Sequence, residues 1–62
     1  MRLLRRVETY LKQSGTAATR FGREAVRDPR FVLDLRNGRE ASPRVERRVL
    51  AYIERMESGL GR

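Results

Sequence analysis

Two prolines, each preceded by a residue whose side chain can cap a helix, most constrain how this chain folds. Asp28-Pro29 and Ser42-Pro43 each place a capping oxygen just before a residue that has no N–H to leave unsatisfied. That is the chemistry of a helix start. Asp28 adds a carboxylate at the positive end of the helix dipole. Gly15 and the pair Asn37-Gly38 tolerate a left-handed backbone and so mark helix ends. These marks predict helices over about 2–14, 16–26, 29–36 and 43–58. Thr16 is expected to cap the second, Gly59 to close the fourth, and 60–62 to be a frayed tail.

Apolar residues follow the helical period inside each segment. Leu3, Leu4, Val7, Tyr10 and Leu11 make one face of the first helix. Phe21, with Ala17, Ala18 and Ala25 around it, is the expected core anchor of the second. Phe31, Val32 and Leu35 serve the third, and Val45, Val49, Tyr52, Ile53 and Met56 the fourth. Gly22 inside a helix costs about 0.5–1 kcal/mol relative to Ala, tolerable where another segment must pass close by. The fold class predicted is all-α: one domain over 1–62, a compact bundle of four short helices, or five if a further one is added. At 62 residues, 39% of them hydrophobic, the chain can build a core only near the lower limit of independent stability.

Fifteen basic residues against eight acidic ones give a formal charge of +7. So basic a small domain predicts an anionic partner, nucleic acid before membrane. All the basic residues but Lys12 are arginine, which suits bidentate contacts to phosphate and guanine; a GC-rich coding sequence would leave the same bias. With neither Cys nor His, disulfides, the usual zinc sites and His-based catalysis are excluded. A core this small holds no drug-sized cleft, so no catalytic residues, metal, cofactor or small-molecule ligand is expected. No apolar run approaches a membrane span. The basic back of the first helix, with Arg2, Arg5 and Arg6, reads as a solvated face, because its apolar stripe is short and lacks Trp and Phe. No membrane partner and a cytoplasmic, nucleoid-associated location follow as expectations.

The stretch from Thr16 to Gly38 organises the rest. It reads as two short helices around a tight corner at Val26-Arg27-Asp28, the grammar of a helix-turn-helix. With Gly22 preceding Gly38 by 16 positions and apolar residues at Phe21, Ala25, Val32 and Leu35, it resembles the lambda-repressor-like family, the Cro and phage-repressor type of DNA-binding domain. The stretch RNGREASP and the helix after it also resemble that family's loop and next helix, so the likeness runs from about Leu11 to Met56. Two departures stand out. The family usually has Gly and then an apolar residue in the corner, where this chain has Val26 and Arg27. Many relatives carry a fifth helix, for which no sequence remains after Gly59.

The resemblance implies double-stranded DNA as partner, with the third helix in the major groove. It implies base-reading positions at Arg30 and Asp34, with Arg27 and Leu33 beside them. Arg30 suits guanine and Asp34 the cytosine amino group; the alternative is an i, i+4 ion pair between the two. The implied phosphate contacts are Thr16, Thr19 and Arg20 at the start of the second helix, then Asn37, Arg39 and Arg44. Ala18 lacks the polar side chain common at its position. Charge placement adds Arg47 and Arg48. Arg44, Arg47 and Arg48 crowd the first turns of the fourth helix while Glu54 and Glu57 sit near its end, against the helix dipole. Phosphates beside the basic end would offset that loss through counterion release.

These readings point to a sequence-specific DNA-binding protein, a small bacterial or phage transcriptional regulator. The first alternative is a protein-interaction module on the same scaffold, antitoxin-like or a co-regulator subunit, docking through Val49, Leu50, Ile53 and Leu60. A non-specific architectural DNA binder is the second. A homodimer through helix four would use Leu50 and Leu60, since two copies on a palindromic site give tight binding.

Overall fold

The caps and glycines divide the chain much as expected. In a computed structural model that describes residues 3–60, without the side chain of Leu60, four helices follow one another: α1 (Leu3–Ser14), α2 (Ala18–Val26), α3 (Phe31–Arg36) and α4 (Pro43–Leu60). No strand occurs among the described residues. Arg2 and the Gly61-Arg62 end of the expected tail lie outside them. Gly15 ends α1 with φ 72°, its N–H reaching the Leu11 carbonyl at 2.9 Å. Gly38 (φ 102°) follows α3. Ser42 caps α4 as expected, its hydroxyl accepting from the Val45 amide at 3.3 Å.

Three expected boundaries move. Thr16 does not cap α2. Its amide donates to the Ser14 hydroxyl at 3.2 Å, and that hydroxyl donates to Thr16 Oγ1 at 2.7 Å. The side chain is thereby turned back toward α1, and Ala17 opens α2 with no side-chain cap. Asp28 caps a turn and not the helix itself. Its carboxylate accepts from the Arg30 amide at 3.0 Å, the Phe31 amide bonds to its carbonyl at 3.0 Å, and the α-helix begins only at Phe31. Gly59 does not close α4, which continues through it to Leu60.

The core is one cluster fed by all four helices: Leu3, Val7, Tyr10 and Leu11 of α1, Phe21 and Ala25 of α2, Phe31, Val32 and Leu35 of α3, and Val49 and Ile53 of α4. Phe21 is fully buried, between Tyr10 and Tyr52, with ring centroids 5.6 and 5.5 Å away. Burial of such a side chain stabilises by roughly 1.5–3 kcal/mol, and the trio joins α1, α2 and α4. Leu50 is half-buried against the same core, not the exposed contact residue expected of it. Val49 and Ile53 have no exposed surface, so two of the four residues assigned to α4 as a docking surface are core, while the side chain of Leu60 lies outside the described residues.

Gly22 sets the distance between α2 and α3. A Cβ added there would overlap the Asp28 carbonyl and stand 3.2 Å from the Phe31 Cβ. The Asp28 amide closes this approach by donating to the Gly22 carbonyl at 3.0 Å. Arg27 makes the reversal possible. It adopts φ 59°, ψ 33°, the left-handed conformation usually left to glycine at a helix end, and its amide donates to the Arg23 carbonyl at 3.0 Å.

Candidate nucleic-acid interface

The surface that α2, α3 and the following loop present depends on which charges the fold itself consumes. Arg36 points from α3 back to α1, where Nε and Nη2 reach the two carboxylate oxygens of Glu8 at 2.7 and 2.8 Å. That bidentate bond holds the Glu8 carboxyl below its ordinary range and lifts the Arg36 guanidinium. On the other side of α1, Arg6 pairs with Glu57 at 2.7 Å, and the bond raises the Arg6 guanidinium. Glu57 at the end of α4 is thus accounted for by a tertiary partner.

Arg39 is a second fixed cation. Its Nη1 lies 3.0 Å from an Asp34 carboxylate oxygen and 3.2 Å from one of Asp28, and its guanidinium carbon stands 5.6 Å from the Phe31 ring centroid. Asp28 first, then Asp34, raise its affinity for the proton. One side chain of the loop thereby joins the α2–α3 corner to the middle of α3. The ion pair weighed as the alternative for Arg30 and Asp34 does not form; Arg39 holds the carboxylate instead. Asp34 and Arg39, expected to meet a base and a phosphate, meet each other.

The remaining expected residues divide plainly. Arg30, Leu33 and Asn37 lie exposed on one face of α3 and its end, at i, i+3 and i+7. No side-chain bond engages Arg30 or Asn37 among the described residues. Arg27 is exposed at the corner, its side chain equally free. Thr19 is exposed, while Thr16 is half-buried and engaged with Ser14. Arg20 pairs with Glu24 across one helical turn at 3.1 Å, an exposed pair that water and salt screen. Arg44 and Arg47 are exposed and free on α4. Arg48 instead donates to the Ala25 carbonyl near the end of α2 at 3.1 Å. The crowding of arginines at the start of α4 therefore has a structural cause for one of its three members.

Arg23, absent from the expected set, is also exposed; it makes no side-chain hydrogen bond or ion pair, and its charge helps to lower the Glu24 carboxyl. It stands one helical turn before Arg27, and that spacing was the signal available for it. Behind these cations Tyr52 donates to the Glu24 carboxylate at 2.9 Å. Tyr52 first, then Arg20, hold Glu24 below the ordinary range. Burial and the Glu24 contact push the Tyr52 phenol up to about 12.

No group of carboxylates suited to a metal occurs among the described residues, and none of the described helices is long and apolar enough to cross a membrane. No protein-family model, curated protein or solved structure matches the chain.

Proposed function

We propose that this chain binds double-stranded DNA sequence-specifically as a helix-turn-helix of the lambda-repressor-like kind, with α3 in the major groove and a regulatory role in transcription. The observation that carries this reading is the division of charge. Glu8, Glu24, Asp28, Asp34 and Glu57 are each held by an arginine of the same fold. Arg27, Arg30, Arg44 and Arg47 stay exposed and free, and Arg23 is exposed with no side-chain hydrogen bond or ion pair of its own. The surplus behind the net +7 thus includes side chains on α2, its corner and the start of α4. Phosphates would be met by these cations and bases by the outward side of α3. The close approach at Gly22 supports the reading by bringing the start of α3 against α2, as in a helix-turn-helix.

The test is selection of bound duplexes from a random pool, with the mass of the complex measured free and bound. Enrichment of a motif supports sequence-specific reading, and two half-sites about one DNA turn apart would mean two copies of the chain. Equal binding to selected and random duplexes at physiological salt would sink specific regulation in favour of an architectural role. Absence of any duplex binding would sink both.

A further inference from the structure

Asp34 and Arg36 flank the outward side of α3, and both are already held, Asp34 by Arg39 at 3.0 Å and Arg36 by Glu8 at 2.7 Å. Between them stands Leu33, 43% exposed and the only large apolar side chain so exposed among the described residues. Arg30 lies three positions before it and Asn37 four after, which puts the three on one helical stripe. Leu33 thus keeps part of its apolar surface in solvent between a free cation and a free amide. Its surface fits a partner that offers an apolar group beside hydrogen-bonding edges and a negative backbone.

Resting on the DNA-binding reading, we propose that Leu33 is a specificity-determining residue that receives the C5-methyl group of a pyrimidine in the major groove. The methyl is the apolar feature of base edges there, and Leu33 has no polar atom with which to read anything else. Its neighbours supply the complementary chemistry. The Arg30 guanidinium matches the two acceptors of guanine, and the Asn37 amide matches the acceptor and donor of adenine. Asn37 thereby moves from the phosphate contacts to the reading face. Asp34 leaves that face, since its carboxylate is spent on Arg39. Thymine carries the methyl, and 5-methylcytosine carries the same group at the same ring position.

The full chain tests this on its selected duplex. Each thymine of the motif is replaced in turn by uracil, which removes only the methyl. One position should weaken binding about fourfold, the factor that burying one methyl-sized group is worth. Leu33→Ala should erase the thymine–uracil difference at that position, whereas Leu33→Met and Arg30→Ala should keep it. Replacing that pair by C·G and then methylating the cytosine at C5 should restore affinity to the parent chain and not to Leu33→Ala. Far-UV circular dichroism and melting check that each variant folds, as expected for a change at an exposed site. If no thymine is sensitive, or if the difference persists in Leu33→Ala, this inference falls while DNA binding stands. A pool from which nothing is enriched overturns both.

Discussion

The backbone carbonyl of Asp28 occupies the space into which a side chain at Gly22 would project. A carbonyl in a hydrogen-bonded corner cannot swing aside as the tip of a long side chain can. Gly22→Ala gains about 0.5–1 kcal/mol of helix preference, but the overlap costs more, typically 1–3 kcal/mol for overpacking. The expected result is a net loss of about 1–2 kcal/mol in urea unfolding with an unchanged slope. A more stable variant would show that α2 and α3 do not close at this point.

What the sequence made legible and what it hid follow from the range of each interaction. Gly15, Gly38 and Ser42 act within four residues, and each is found in its expected role. The apolar periods also located the core, because a helical stripe has only one face to bury. Thr16 departs from its expected capping role because Ser14, two residues away, competes for its polar groups. The readings of Asp34 and Arg39 shifted for another reason: both carry charges whose partners are decided by three-dimensional proximity. Arg36 and Glu8 stand 28 positions apart, and no local pattern announces such a pair. The departure at Arg27 was visible as an unusual corner residue, but its left-handed backbone was not.

Charges that the fold uses and charges that it leaves free should separate in salt titrations of DNA binding. Each phosphate contact contributes about 0.9 to the slope of log affinity against log salt. Arg44→Ala and Arg47→Ala should each flatten the slope by about that amount with little change in melting temperature. Arg39→Ala, which removes the tie among Asp28, Asp34 and Phe31, should lower the melting temperature and leave the slope nearly unchanged. Equal slope changes in all three variants would mean that Arg39 leaves its carboxylates for a phosphate.

Acid should weaken the fold through Glu8 and Glu24, whose carboxyls lie below the ordinary 4.5 in the native chain. With the folded value lowered, the unfolded chain binds protons first. The stabilisation is complete above about pH 4.5 and is lost as pH falls through the lowered values. Glu8→Gln should therefore make melting temperature less dependent on pH below that point, with only a small loss at neutrality because the pair is exposed. An unaltered acid limb would remove Glu8–Arg36 from the account.

At the alkaline end the sign comes from Tyr52, raised from 10 to about 12 by burial and by its bond to Glu24. The unfolded chain loses this proton first, so stability should fall as pH rises from about 10 through 12. Tyr52→Phe should delete the latest component of the tyrosinate absorbance titration and reduce the alkaline loss. A phenol that ionises near 10 and is removed by the same substitution would show that the contact with Glu24 is open in solution.

Arg27 offers a test in which stability and binding move in opposite directions. Its φ of 59° places a β-carbon where the left-handed backbone costs roughly 1–2 kcal/mol for a residue other than glycine. Glycine removes that cost but adds freedom to the unfolded chain, so Arg27→Gly should stabilise the fold by up to about 1 kcal/mol. The same change deletes an exposed, unpaired cation at the corner between α2 and α3. DNA affinity should then fall, and the salt slope should flatten by about 0.9 if the contact is to phosphate. A strained residue that lowers stability and raises binding belongs to the function, because stability alone favours its replacement. Thermal melting and a salt-dependent binding titration on the one variant measure both halves. A variant that is more stable and binds DNA unchanged would detach the corner from the interface and leave the left-handed arginine without a role in it.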